Sequence, residues 1–191
     1  MQTSRGFTVV EIAITLAVMA ILVVLGLSSY SQSQKNARDT ERRGDAENIS
    51  AALERLYASG ATNSATGITY PPGRYPSIDE AQQATFLSHT LPGLDAASRS
   101  YSFNTSPTGN LFRTDSGASV SENAESQTAK DRIALETNDT SITYQPMRFN
   151  TSTNTWVSCK TSAEECRRYK LYYRTENPVG SEYVQVIESQ H

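Results

Sequence analysis

An apolar segment runs from Phe7 to Leu27 and holds a single charged residue, Glu11. A helix of that length is roughly 32 Å long at about 1.5 Å per residue, which is enough to cross a hydrocarbon core of about 30 Å. The pattern therefore predicts a membrane-spanning helix. A carboxylate inside such a helix costs about 2.5–3.5 kcal/mol on insertion scales, so Glu11 either lies close to the membrane surface or pairs with a cation.

The helical pattern continues beyond this segment. An apolar stripe at helical spacing follows, and Gly60 is placed to end the helix as its C-terminal cap. We therefore predict one helix from Thr8 to about Ala58, with Gly26 as the place where it could bend. The alternative is two helices joined by a linker near residues 28–33. The stripe consists of Ala46, Ile49, Leu53, Leu56 and Tyr57.

Residues 62–76 are rich in Gly, Pro and Thr, and this composition predicts a loop. Ser77 and Glu80 have the spacing of a capping box, which predicts a short helix that ends near Thr90. Residues 100–113 predict a weak hairpin.

The last part of the chain contains short segments rich in β-branched and aromatic residues, each bounded by turn residues. They predict an antiparallel sheet of about four strands that packs on the apolar stripe of the helix, and hence an α+β fold. Pro146 predicts an edge position or a bulge in the first strand, because proline lacks the N–H of the ladder. Residues 177–180 predict a hairpin turn. The strand segments are residues 141–150, 154–159, 169–175 and 183–188.

Composition excludes some classes of function. The chain has 191 residues and a net charge of -3, which argues against a general nucleic-acid surface, because phosphate contacts need clustered Lys and Arg. The spacing of Cys159 and Cys166 is not that of a zinc site. These cysteines predict a disulfide in an exported domain and free thiols in a cytosolic one.

Other candidate chemistry is sparse. His89 and His191 have no partners at metal-ligand spacing, and no motif of a hydrolase or nucleotide-binding enzyme occurs. We therefore expect a protein that is not an enzyme and that has no cofactor. Residues 114–131 predict an exposed loop, and the acidic residues within 131–139 either bind calcium or belong to a solvated loop.

The residues from Arg5 to Glu11, RGFTVVE, followed by the long apolar helix, resemble the processing signal of type IV prepilins and pseudopilins. The resemblance implies that a membrane peptidase cuts after Gly6 and that the new N-terminus, Phe7, is methylated. It also implies that Glu11 of an incoming subunit pairs with the Phe7 amine of a subunit already in a filament. Ala20 and Ser28 depart from the glycine and proline that many pilins carry at these places.

The resemblance divides the chain into a leader (1–6), a transmembrane and filament-core helix (7–30) and an extracytoplasmic globular domain (31–191). It implies a structural subunit of a type IV pilus-like filament, used for adhesion, twitching motility or DNA uptake. The implied partners are other pilin subunits, the prepilin peptidase and the pilus assembly platform. The subunit would be a single-pass protein of the cytoplasmic membrane before assembly and part of a surface filament afterwards. The alternatives are a minor pilin or pseudopilin of a secretion or competence system, and an anchored domain that never polymerises.

Overall fold

The fold combines one long helix with a C-terminal sheet. A computed structural model describes residues 8–81, 83, 86, 90–91, 112–114 and 142–191, with the backbone alone described at 26–29 and 112–114. Its contacts divide the chain into two compact units with the boundary between Arg38 and Asp39. The elements are α1 (Val9–Ser59), β1 (Ala61–Thr62), β2 (Thr69–Tyr70), α2 (Ile78–Ala81), β3 (Phe112–Thr114), β4 (Ile142–Asn150), β5 (Thr155–Ser158), β6 (Arg168–Val179) and β7 (Glu182–Glu188).

Helix α1 is a single α-helix of 51 residues. The predicted span is confirmed at both ends to one residue, and residues 28–33 are helical where the two-helix alternative required a linker. The helix ends at Gly60, whose N–H donates to the Leu56 carbonyl oxygen at 2.7 Å and whose φ is +68°. This is the left-handed conformation of a C-terminal glycine cap, as the sequence predicts.

The four predicted strands correspond to β4, β5, β6 and β7, which pair antiparallel. The sheet also contains β3, which overlaps the end of the predicted hairpin at residues 100–113. Its parallel pairing with the first half of β4 was not predicted. The order is β3-β4-β6-β7, with β5 on the second half of β4. The α+β prediction of one long helix and a sheet of about four antiparallel strands is confirmed.

Pro146 is neither on an edge strand nor in a bulge, so that prediction is wrong. It lies inside β4, opposite Tyr169 of β6, and its carbonyl oxygen accepts the Cys159 N–H at 2.9 Å. In a regular antiparallel ladder residue 146 would donate back to the Cys159 carbonyl oxygen. That oxygen instead accepts the Ile78 N–H at 3.0 Å. Proline is tolerated at position 146 because Ile78, the first residue of α2, supplies the N–H that the Cys159 carbonyl oxygen would otherwise lack.

Smaller elements refine the middle of the chain. The predicted loop 62–76 contains β2, which pairs with β1. The capping box is present: the Glu80 carboxylate accepts from the Ser77 N–H at 2.9 Å, and the Glu80 N–H donates to the Ser77 hydroxyl at 3.3 Å. The predicted hairpin turn at 177–180 is shorter than expected, because β6 continues to Val179.

Several predictions fall largely or wholly outside the described residues. They are the hairpin at residues 100–113, of which 112–113 are described, the loop at 114–131, of which 114 is described, the acidic residues within 131–139, and His89.

The core lies between the second half of α1 and one face of the sheet. The predicted stripe is buried at Ala46, Ile49, Leu53 and Leu56, with Tyr57 partly buried. It packs in one cluster with sheet residues that include Tyr144, Tyr169 and Leu171. The opposite face of the sheet is also buried in its centre, at Thr143, Gln145 and Tyr172.

Candidate assembly site

The first part of α1 exposes apolar side chains on every side. All residues from Val9 to Leu25 are exposed, and the large apolar side chains among them are 49–84 % accessible. Among the described residues, α1 is the one helix long and apolar enough to cross a membrane. A helix that is apolar all round needs lipid or other protein segments to cover it.

Glu11 is the single charged side chain in this exposed segment. Its carboxylate accepts hydrogen bonds from the Thr8 N–H at 3.1 Å and the Thr8 hydroxyl at 3.0 Å. The Glu11 N–H donates to the Thr8 hydroxyl oxygen at 3.2 Å. Thr8 and Glu11 therefore form a capping box that satisfies N–H groups at the start of α1.

The other two residues of the predicted site are Gly6, where the leader would be cut, and Phe7, the new N-terminus. Both lie outside the described residues. The capping box at Thr8 and Glu11 could have been found from the sequence, because Thr-x-x-Glu before an apolar run is its signature.

Cys159 and Cys166 form a disulfide with a Cα–Cα distance of 5.7 Å. It closes the connection between β5 and β6, and both cysteines are buried. The Ile78 N–H donates to the Cys159 carbonyl oxygen at 3.0 Å, and the Tyr75 N–H donates to the Cys166 carbonyl oxygen at 2.8 Å. The disulfide therefore links the two residues whose carbonyl oxygens bind Tyr75 and Ile78, in the segment that leads into α2 and at its start.

Asp39 and Arg42 attach the helix to strand β6. The Asp39 carboxylate accepts the Glu176 N–H at 2.6 Å and the Asn177 N–H at 3.0 Å. Arg42 donates to the Glu176 carboxylate at 3.1 Å and to the Arg174 carbonyl oxygen at 3.3 Å. These contacts fall where β6 and β7 lose regular register, between Arg174 and Val179. Sequence reasoning missed them, because no local pattern links residues this far apart along the chain.

Glu54 attaches the end of the chain to the helix. Its carboxylate accepts the hydroxyls of Tyr75 at 2.9 Å and Tyr169 at 3.0 Å, and also the Gln190 N–H at 3.2 Å. Burial, together with the Glu54 carboxylate, raises the pKa of Tyr75 and of Tyr169 well above the usual tyrosine range. Both phenols therefore stay neutral donors, and this cluster has a structural role.

The described residues contain no group of three or more His, Cys, Asp or Glu side chains that could hold a metal ion. Comparison with family models, curated proteins and solved structures finds no match for this chain.

Proposed function

We propose that this chain is a structural subunit of a type IV pilus-like filament and not an enzyme. In this proposal residues 1–6 are removed after Gly6, the helix anchors the subunit in the cytoplasmic membrane, and the same helix then enters the filament centre. The prepilin peptidase, the assembly platform and other pilin subunits are the proposed partners. The observation that carries the proposal is an apolar helix, exposed on all sides from Val9 to Leu25, that contains the single carboxylate of Glu11.

A membrane anchor alone does not need the charge of Glu11, because a neutral side chain would insert more easily and Gln also completes a capping box. Removal of the leader creates a cationic amine at Phe7. A neighbour's amine can then pair with Glu11, which fixes the register of the incoming helix. The pair itself adds little net energy, because desolvation offsets much of the attraction. Packing of apolar helices supplies most of the cohesion.

The disulfide supports export of the unit that begins at Asp39. Disulfides such as Cys159–Cys166 form and persist outside the reducing cytosol. A single helix of α1's length then accounts for attachment to the membrane. A filament of this kind is compatible with adhesion, motility, DNA uptake or secretion. The same observations fit a minor pilin or pseudopilin.

One observation favours a second function, an anchored domain that never polymerises. The capping box with Thr8 gives Glu11 a structural role within its own chain, without any neighbour. In that case Glu11 stabilises the start of the helix and lies near the membrane surface.

The experiment that tests the proposal is mass spectrometry of sheared surface filaments and of membranes from the same cells. The proposal predicts an abundant chain in the filaments that starts at Phe7 and carries an N-methyl group. A chain that retains residues 1–6 and stays entirely in the membrane fraction would contradict it.

A further inference from the structure

Tyr30 is the single aromatic residue between Thr8 and Arg38, and it stands in the polar stretch SSYSQSQ that follows the apolar segment. Its side chain is 64 % accessible on helix α1. Tyrosine is enriched at membrane–water boundaries, because its apolar ring and its polar hydroxyl group prefer different surroundings. Tyr30 is therefore a candidate for contact with lipid at the end of the apolar segment.

Side chains on an α-helix lean towards its N-terminus. Glu11 shows this lean directly, because its carboxylate accepts hydrogen bonds from the N–H and the hydroxyl of Thr8. The carboxylate therefore lies level with residue 8, about 4.5 Å along the helix axis from its own Cα. By the same lean, the ring of Tyr30 covers the preceding turn, near the level of residues 26 and 27.

These two levels are separated by the thickness of a bilayer interior. Thr8, Glu11 and Tyr30 all belong to the compact unit that ends at Arg38, so distances along the helix hold between them. From residue 8 to residues 26–27 the helix rises about 28 Å, and a hydrocarbon core is about 30 Å thick. The lean carries the Glu11 carboxylate out of the apolar segment at one end and brings the Tyr30 ring back to its edge at the other.

We propose that α1 of the free subunit contacts both surfaces of a lipid bilayer at once, with the Glu11 carboxylate at one surface and the Tyr30 ring at the other. The start of the helix favours the same placement. The first N–H groups of an α-helix have no acceptor within the helix, and hydrocarbon offers none. The first turn, which begins at Thr8, is therefore best placed at the membrane surface.

This placement rests on the proposed function in that α1 anchors the free subunit in a membrane. It puts the charge of Glu11 outside the hydrocarbon before assembly, so insertion does not require a cationic partner within the membrane. The distance between the two contacts leaves no excess apolar length, and a strong tilt of the helix is therefore not needed. A neighbour's amine would then meet Glu11 at the membrane surface.

The test measures the depth of tryptophan in vesicles of phosphatidylcholine and phosphatidylglycerol whose lipids carry nitroxide quenchers at known depths. The full chain is used, with Trp156→Phe to remove its single tryptophan. Ile12→Trp, Ile21→Trp and Tyr30→Trp are then made one at a time, at exposed positions that are nine residues apart. All three rings lean the same way, so the differences in depth report the position of the helix.

Ile21→Trp should lie at the bilayer centre, and Ile12→Trp and Tyr30→Trp should lie at equal depths, about 13 Å from it. Gln34→Trp, one turn beyond Tyr30 and exposed, is the matched control. The shallow quencher should act on it at least twofold less than on Tyr30→Trp. A helix one turn deeper, with Glu11 in the hydrocarbon, would place Ile12→Trp about 11 Å deeper than Tyr30→Trp and overturn the proposal.

The same measurement separates this placement from the proposed function. Deep quenching of Ile21→Trp with unequal depths at positions 12 and 30 would overturn the placement and leave the membrane anchor intact. Ile21→Trp that no lipid-bound quencher reaches would contradict both the placement and the membrane anchor.

Discussion

Glu11 accepts two hydrogen bonds from Thr8 and donates its own N–H to the Thr8 hydroxyl oxygen, so each residue caps the other at the start of α1. This relationship changes how Glu11 must be tested. Glu11→Val would remove both the cap and the charge, and its effect could come from either. Variants that separate the two roles are therefore needed, and Gln and Glu both complete a capping box.

The end of α1 depends on Gly60. Alanine there would adopt a left-handed conformation that costs about 1–2 kcal/mol, and its Cβ would lie 2.6 Å from the Tyr70 carbonyl oxygen. Gly67→Ala is the control, since Gly67 also has a positive φ but its added Cβ meets nothing within 4 Å. Thermal unfolding should show a clearly larger loss for Gly60→Ala. Equal losses would mean that the contact with Tyr70 does not matter.

The ion pair of Glu80 and Arg74 should make stability depend on acid pH. Burial raises the pKa of Glu80, but hydrogen bonds from Arg74 and Ser77 outweigh it, so the pKa lies below its ordinary value of 4.5. A folded-state pKa below the ordinary value stabilises the fold at pH values above that ordinary pKa. This stability is lost as the pH falls through the folded-state pKa.

Glu80→Gln should therefore lower the free energy of unfolding at pH 7 by about 1–3 kcal/mol. The difference from the parent should shrink as the pH falls below 4. Glu47→Gln, which removes an exposed ion pair with Arg43, should change little at either pH. A constant difference between Glu80→Gln and the parent from pH 7 to pH 3 would refute the linkage.

The disulfide should stabilise the unit that begins at Asp39. The loop closed by Cys159 and Cys166 corresponds to about 2.5 kcal/mol by the chain-entropy estimate. The double variant Cys159→Ala, Cys166→Ala should therefore melt about 5–10 °C below the parent. Alkylation of the exported parent without reductant should label neither cysteine. Stoichiometric labelling would show that the thiols are free in the cell.

Processing should depend on Gly6. We expect Gly6→Ala to leave most of the protein with residues 1–6 attached, because the implied peptidase cuts at the Gly6–Phe7 junction. Intact-mass analysis of membrane protein measures this directly. Thr3→Ala, a change within the leader, is the control and should be cut normally. Normal loss of the leader from Gly6→Ala would argue against a prepilin-type signal.

Strong local periodicity explains which parts of the fold could be predicted from sequence. Helix α1 and strands β4–β7 have clear patterns, and their bounds were predicted to within one residue except for the end of β6, which continues to Val179. Strand β3 overlaps the predicted hairpin at residues 100–113, but its pairing with β4 was missed because the two strands are distant in sequence. Pro146 was misplaced for the same reason: the Ile78 N–H that replaces its own donor comes from a different element.

The candidate site was predictable only in part. The apolar segment and Glu11 are visible in the sequence, and so is the Thr8–Glu11 spacing. The contacts of Asp39 with β6 and of Glu54 with Gln190 have no local signature, because they join residues more than a hundred positions apart.

Glu11→Gln compared with Thr8→Val tests the central claim most directly. Glu11→Gln keeps the reach needed for the cap and removes the charge, whereas Thr8→Val removes the hydroxyl and keeps the charge. The measurement is the ratio of filament-associated to membrane-bound protein in cells that make only the variant.

If Glu11 pairs with the Phe7 amine of a neighbour, Glu11→Gln should lower this ratio about tenfold, equivalent to about 1.4 kcal/mol. Glu11→Asp should be intermediate, and Thr8→Val should stay near the parental ratio. Filaments at parental levels from Glu11→Gln, with a loss in Thr8→Val, would contradict the pairing and leave Glu11 as a helix cap.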